Sequence, residues 1–420
     1  ITVGTNSRDD MNEARHVCEM RSCDDKVSEK VCMPRIPSDI GGAARLATDH
    51  GGSGQGDLAE NASLAVDPDF SIKPLIALNS VAGANSLLGY SKSGEIKLSF
   101  NLARNLEVLY GKDAAANFTD NVANICIGSY ALDAATGGEH YNIAIGTNAL
   151  STENSNANYC VAIGYDALAV QNADVKNTVI GGLAGDAITD GDRNTLVGYL
   201  SGSDLTGGDD NVCVGDMAMV NAIGSFNTVV GSGAGSSNQN ATATQFSGNS
   251  NVLVGYSAGN DLTDGPGNVL VGASAGANMT IGDYNIAIGY GAADAMTGAA
   301  NSNVVIGTNA MGGVTAATSE NIAIGLDTLK NASYAAVNRN IAIGTSAGTA
   351  ITTGTHSTFI GHEAGMTCSS ENGNTAVGHI ALKLATGYYN TAVGSAAASE
   401  LAAGQSNVAV GGLALFEADG

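Results

Sequence analysis

Large aromatic side chains and positive charge are both scarce in this chain of 420 residues. It has no Trp, 7 Phe and 5 Pro, and its 17 Lys and Arg are outnumbered by 40 Asp and Glu, giving a formal net charge of −23. Few large side chains argue against the core of an ordinary globular enzyme. The acidic balance, without a basic stripe interleaved with aromatics, disfavours nucleic-acid binding. No segment approaches 18 uninterrupted apolar residues, so no membrane-spanning helix is predicted.

Glycine is abundant instead, but the pattern is neither collagenous nor disordered. The 57 Gly are far fewer than one residue in three, and Pro is rare, which excludes a collagen helix. With 44% hydrophobic and 14% charged residues, general disorder fits poorly. The start, Ile1-Thr2-Val3-Gly4, has no initiator Met and no signal-peptide pattern, which predicts a processed chain or a piece of a longer protein.

A short motif recurs from residue 121 onward: Asn, a β-branched residue, a small or apolar residue, Ile or Val, and Gly. There are 17 copies, with 16 to 19 residues between successive glycines except for one gap of 24. The residues that mark it include Asn142 and Gly146, Asn194 and Gly198, Asn268 and Gly272, Asn340 and Gly344, and Asn390 and Gly394. Such a fixed period indicates a repeat architecture.

Each position of the motif has a physical interpretation. The alternating β-branched residues predict a strand. Because the residue between them is also apolar, both faces of that strand are expected to be covered, one by the same chain and one by a neighbouring chain. Asn opens 15 of the 17 copies, replaced by Cys160 and Ser357, and predicts a stacked amide ladder at a corner. Ala follows three residues after Gly in 15 copies, which predicts a second short buried segment.

The period is too short for helical repeats or propeller blades. It predicts an all-β fold, a β-solenoid or β-roll of about 17 coils, each with two short strands and two corners. At about 4.8 Å per coil, the rod would be on the order of 80 Å long.

The repeats resemble those of two classes of fibrous protein. Runs such as Asn374-Thr375-Ala376-Val377-Gly378 are similar to the repeats of bacteriophage tail fibres and of the β-roll heads of trimeric autotransporter adhesins. The resemblance covers residues 121–420. It implies a homotrimeric fibre on a virion surface or outside a cell, which attaches to a host-surface glycan or protein receptor.

The N-terminal part differs from the repeats. We divide it into a charged, Cys-containing assembly or attachment segment, 1–60, and a transition region with short strands, 61–120, before the repeat region 121–420. The N-terminal region is expected to bind other virion or cell-surface components. Of the net charge, the repeat region carries −18, from 5 basic and 23 acidic residues. Asn85-Ser86-Leu87-Leu88-Gly89 resembles a degenerate repeat.

Candidate metal ligands are weak. His16, Cys18, Cys23 and Cys32 have C-x4-C-x8-C spacing rather than the tight pairs typical of zinc sites, so a disulfide or free thiols compete with metal there. His362 and His379 each follow a motif Gly and should stack on adjacent coils, although a solvated surface His is the common case. Asp-rich corners around Asp190 and Asp209 are discounted as Ca²⁺ sites. We assign no metal and no cofactor.

Four tyrosines share the position directly after the motif Gly: Tyr165, Tyr199, Tyr256 and Tyr290. An exposed row of flat rings predicts packing against sugar faces, and the alternative is that Tyr simply suits a strand edge. No pair of carboxylates and no nucleophile motif stands out, so no catalytic residue is assigned and the rod is predicted not to be an enzyme. The leading hypothesis is a phage tail fibre or spike. The alternatives are a bacterial trimeric surface adhesin or another extracellular filament subunit, and a polysaccharide-degrading spike.

Overall fold

The computed structural model describes residues 86–91, 94–99, 107–115, 123–134, 140–152, 158–171, 176–236, 245–315, 317–331 and 337–416. All regular elements in these ranges are β-strands, which confirms the all-β prediction. Three strands come first, β1 (Ser86–Ser91), β2 (Gly94–Ser99) and β3 (Glu107–Gly111). One three-residue strand then follows for each predicted repeat: β4 Ile125–Ile127, β5 Ile143–Ile145, β6 Val161–Ile163, β7 Thr178–Ile180, β8 Thr195–Val197, β9 Val212–Val214, β10 Thr228–Val230, β11 Val252–Val254, β12 Val269–Val271, β13 Ile286–Ile288, β14 Val304–Ile306, β15 Ile322–Ile324, β16 Ile341–Ile343, β17 Thr358–Ile360, β18 Thr375–Val377, β19 Thr391–Val393 and β20 Val408–Val410.

The strands from β3 to β20 form one parallel stack in which each strand pairs with the next one along the chain. The register places equivalent motif positions opposite each other, as in Ile143 opposite Val161 and Ile145 opposite Ile163. This is the predicted β-solenoid. Eighteen strands at about 4.8 Å give a stack about 80 Å long.

The stack begins upstream of the clear repeats. β3 pairs in parallel with β4, and its Gly111 has the same left-handed backbone as Gly128, with φ of 140° and 138°. It lacks the opening Asn, because Glu107 stands at the start of the strand. Before it, β1 and β2 form an antiparallel hairpin, and β2 is antiparallel to β3. The interpretation of 85–89 as a degenerate repeat was therefore wrong, since β1 joins no coil.

Each coil contains one strand, so the prediction of two strands per coil was also wrong. After the strand, left-handed residues alternate with others, as at Asn148 (φ 56°) and Leu150 (φ 52°), and a strand cannot form with such dihedrals. The coils nevertheless remain hydrogen-bonded through this segment. Asn148 N donates to Ser129 O of the preceding coil at 2.9 Å, and Leu150 N donates to Ala167 O of the next coil at 3.0 Å.

The motif Gly is required by the close approach of neighbouring coils. Gly146 has φ of 138°, and a Cβ built there would lie 2.2 Å from the carbonyl oxygen of Gly164 in the next coil. Any side chain would collide with that backbone.

The core is narrow, and two of its positions in each coil vary together in size. One is the centre of the strand, such as Ala144, and the other lies four residues after Gly, such as Leu150, and both are fully buried. Their sizes are complementary. Six of the seven strands with Val, Leu or Phe at the centre have Gly at the second position, and seven of the ten with Ala or Cys have Leu or Met there. Leu196 over Gly202 and Phe359 over Gly365 are examples.

Candidate functional site

The first and third residues of β4–β20 point away from the core, and we call these two columns the apolar strip. In every one of these strands the central residue is buried while its two neighbours are partly exposed, as with Ala287 between Ile286 (37% exposed) and Ile288 (38%). All residues of the strip are Ile, Val or Thr. The chain thus covers the inner face of the strands, as predicted, and leaves the outer face open.

The strip is large for a single chain. It runs for about 80 Å, and two columns of side chains give it a width of about 7 to 10 Å, so its area is about 500–800 Å². Apolar patches on soluble monomers rarely exceed a few hundred Å². Stable protein–protein interfaces bury about 800 Å² on each partner. The strip therefore has the dimensions of an interface.

The predicted amide ladder lines one end of the strands. The Asn residues that open the motif in described coils are buried, except Asn407 in the last coil, which is partly exposed. Asn285 N donates to Asn268 Oδ1 at 2.9 Å, and Asn268 Nδ2 donates to Gly282 O at 2.6 Å. Asn142, Asn194, Asn340 and Asn390 take part in the same ladder. Where Cys160 replaces Asn, its N still donates to Asn142 Oδ1 at 2.9 Å.

A second polar ladder runs in the opposite direction and was missed from the sequence. It uses the residue two before the motif Asn, where the backbone N–H of one coil donates to a side-chain oxygen of the next. Asp192 N donates to Asp209 Oδ1 at 2.9 Å, and Asp209 N donates to Ser225 Oγ at 3.0 Å. An alignment of the repeats on Asn would have shown the signal, a column rich in Asn, Asp, Ser and Thr.

Carboxylates of the Asp-rich corner take part in this ladder and in a neighbouring ion pair. Arg193 binds Asp210 through two contacts of 2.7 and 2.8 Å and also pairs with Asp192. The Arg193 guanidinium holds the pKa of Asp210 below its usual value. Backbone N–H groups and the Arg193 guanidinium thus donate to carboxylate oxygens that a Ca²⁺ ion would need as ligands.

The four predicted tyrosines lie in one column at the Gly end of the strands, beside the apolar strip. Tyr165, Tyr199, Tyr256 and Tyr290 are 51–66% exposed. They do not form a continuous row, because other residues occupy the coils between them. The hydroxyl of Tyr165 hydrogen-bonds to Asp166, which raises the pKa of the tyrosine.

A second aromatic column, at the Asn end of the strands, was missed from the sequence. Its residues directly precede the motif Asn, have φ of 56–62° and are 45–66% exposed: Tyr141, Tyr159, Phe226, Tyr284 and Tyr389. Tyr141 and Tyr159 lie one coil apart and stack, with ring centroids 5.1 Å apart and planes at 11°. The signal was weak because charged and small residues share this column with the aromatics.

The two histidines stack as predicted. The rings of His362 and His379 lie 5.3 Å apart at 20°, and the nearby Glu363 pairs with Lys383 at 2.6 Å. In the described ranges, no group of three or more His, Cys, Asp and Glu side chains could hold a metal ion. The candidates His16, Cys18, Cys23 and Cys32 lie outside those ranges, as does segment 1–60.

Cysteines of the repeat region behave as small apolar residues. Cys126, Cys160, Cys213 and Cys368 are buried thiols that form no disulfide. Burial raises the pKa of the Cys213 thiol well above its ordinary value and that of Cys368 to about 12, so neither is an activated nucleophile.

Asp186 is a partly buried acid whose surroundings disfavour its charged form. Desolvation raises its pKa, while the hydrogen bond from Ser203 Oγ, 2.9 Å away, opposes that shift. Its carboxylate neighbours Asp204 and Asp166 raise the pKa further.

Comparisons with protein-family models, with curated proteins and with solved structures gave no match. In the part of the chain that the structure describes, no helix is long and apolar enough to cross a membrane.

Proposed function

We propose that this chain is a structural fibre protein of a virion surface or the extracellular space, a phage tail fibre or spike that attaches to a host. One observation carries the proposal: the apolar strip runs without interruption along 17 stacked strands. A rod of about 80 Å supplies reach, and an apolar face along its whole length supplies a seam for further copies.

The fibre is a homotrimer in this proposal. An outward strip of Ile, Val and Thr is costly to leave in water, at about 25 cal/mol for each Å² of apolar surface. Three rods that turn their strips toward a common axis remove this surface from water. The charge of −18 on the repeat region then stays at the outside of the assembly, which favours solubility and opposes nucleic-acid binding. The N-terminal region joins the fibre to other virion components.

The oligomer is tested by light scattering after size-exclusion chromatography. Three chains of 41.8 kDa give about 125 kDa. The double variant Ile286→Asp/Ile288→Asp places two charges in the strip and should shift the mass toward the monomer on dilution. Ile281→Asp is the matched control, because Ile281 is 47% exposed and lies five residues before β13, outside the strip. A monomeric wild-type chain, or equal effects of both variants, contradicts the trimer.

The location is tested with an antibody against the repeat region in electron micrographs of the source material. Label on fibres that project from virions is expected. Label on a bacterial envelope instead indicates the surface adhesin or another filament subunit, which would use the same strip. Release of reducing ends from host polysaccharide by the purified protein would contradict the proposal that the rod carries no enzyme.

A further inference from the structure

His362 and His379 occupy the same position on two adjacent coils, directly after the motif Gly of β17 and of β18. A backbone hydrogen bond joins the two coils at this point, because Ile380 N donates to His362 O at 2.9 Å. The rings stack, with centroids 5.3 Å apart and planes at 20°. The fold therefore holds two imidazoles side by side on a rigid frame, and we call them the histidine pair.

Both rings of the histidine pair are open to water, and the side chain of His362 is 50% exposed. Glu363 does not hold them, since its Oε1 lies 4.0 Å from His362 Nε2 and its Oε2 pairs with Lys383 Nζ at 2.6 Å. His356, in the same coil as His362, differs because its Nδ1 lies 3.0 Å from Thr355 Oγ1. The ring nitrogens of the histidine pair are thus accessible to a ligand from solution.

Two neutral imidazoles on neighbouring coils form a chelating unit for divalent first-row transition metals. Metal–nitrogen distances of about 2.0–2.1 Å bring the two ligand nitrogens to about 3–4 Å from each other. Because the ring centroids are 5.3 Å apart, the exposed rings must tilt toward each other to share an ion. The net charge of −23 attracts cations to the rod. Hard cations such as Mg²⁺ prefer oxygen ligands, so the histidine pair selects against them.

We propose that the histidine pair binds one divalent transition-metal ion, such as Ni²⁺ or Zn²⁺, through one nitrogen of each ring. Water completes the coordination, because the described ranges hold no group of three or more such ligands. The ion bridges the coils of β17 and β18 and stabilises their contact, since it binds the folded chain better than the unfolded one. The site lies beside the apolar strip and does not depend on the proposed role as a fibre.

The site is tested by isothermal titration calorimetry of the purified full chain with one metal ion at a time. Ni²⁺ should bind more tightly than Mn²⁺, as expected for nitrogen ligands, and excess Mg²⁺ should not compete. His379→Asn should weaken Ni²⁺ binding about tenfold or more, because a single imidazole loses the chelate. His356→Asn is the matched control, since it removes an exposed histidine from the coil of His362, and it should leave the affinity unchanged.

A local measurement separates this site from other metal ligands in the chain, such as those of segment 1–60. Hydrogen exchange at the Ile380 amide reports the contact between the two coils, because this amide donates to His362 O. Zn²⁺ at 100 times its dissociation constant should slow that exchange up to about a hundredfold. His379→Asn should abolish the slowing, and His356→Asn should not.

The variant His379→Asn/Thr345→His moves the histidine pair by one coil, because Thr345 holds the same position in the coil before His362. It should restore Ni²⁺ binding, and Zn²⁺ should now slow exchange at the Glu363 amide, which donates to Thr345 O at 2.9 Å. The proposal is wrong if His379→Asn binds Ni²⁺ as tightly as the wild type, or if His356→Asn weakens binding equally. Unchanged exchange at Ile380 with Zn²⁺, or a moved pair that does not bind, also overturns it.

Discussion

The complementary sizes of the two core residues make a sharp prediction for Leu196 and Gly202. A Cβ built on Gly202 would lie 2.7 Å from Leu196 Cδ1 and 2.9 Å from Cδ2, so the leucine fills the space that a side chain at 202 would need. In the coil of β5 the arrangement is reversed, with Ala144 on the strand and Leu150 at the second position. In the coil of β8, making residue 196 small and residue 202 large should therefore preserve the fold, although each change alone disrupts it.

The magnitudes follow from burial. Leu196 is fully buried, so Leu196→Ala should cost about 2–5 kcal/mol. Gly202→Leu overpacks the same space, at about 1–3 kcal/mol, and adds about 1 kcal/mol because Gly202 has φ of 61°. The double variant Leu196→Ala/Gly202→Leu keeps the volume and retains only the backbone cost. We expect a loss of about 1–2 kcal/mol, whereas simple addition gives at least about 4 kcal/mol.

The assay is native-state hydrogen exchange at the amide of Gly198, which donates to Ile180 O at 2.8 Å, at one fixed protein concentration. A local measurement is needed because long repeat arrays do not unfold as one unit. Leu196→Ala combined with Gly276→Leu is the control, since those residues are four or more coils apart and should be additive. If the double variant with Gly202 is as unstable as the sum of its parts, the core is not packed by paired sizes.

Three further predictions concern the backbone, the ladder and pH. Gly146→Ala should abolish folding of its coil, because the added Cβ would collide with backbone, and circular dichroism and thermal melts measure the loss. Gly182→Ala, the control, should change the melting temperature little. Equal effects of the two variants would contradict the stated role of the motif Gly. Asn268→Ala should cost about 3 kcal/mol and remove exchange protection at the Asn285 amide, because it leaves buried donors and acceptors unpaired, and the exposed Asn278→Ala should not. Asp186→Asn should raise the melting temperature at neutral pH. The folded pKa of Asp186 is raised, so ionisation destabilises the fold above that pKa, and the gain should shrink as pH falls toward 3.8; a gain that grows in acid would refute the sign.

The sequence predicts those features that a residue favours by itself, but not those that contacts between stacked coils impose. The β-branched pairs such as Ile143 and Ile145 favour a strand by themselves, and Asn favours a corner, so the strands, the core and the amide ladder were predictable. The backbone conformation of the turns between strands was not predictable. Leu150 and Tyr159 have left-handed backbones that they avoid in isolation. Each donates its N–H to a neighbouring coil, Leu150 to Ala167 O of the next coil and Tyr159 to His140 O of the preceding one, and these contacts favour that backbone.

The missed features share a second cause. The second ladder accepts Asp, Ser, Asn or Thr because any of them offers an oxygen to the backbone N–H of the preceding coil, so no single letter repeats. β3 was missed because Glu107 replaces the Asn that marks the other coils.

This division has a consequence for binding. Among the 17 copies, the positions that fix the stack hardly vary: Gly at the bend, Ile or Val before it, and Asn at the corner. The positions at the two ends of the strand vary freely, from Gly182 through Asp216 to Tyr256, although they lie within one or two residues of that fixed frame. Substitutions there change what the rod presents to a ligand every 4.8 Å or so without changing the contacts that hold coil to coil. A solenoid of this kind can therefore acquire a new ligand by exchanging two or three side chains in one column.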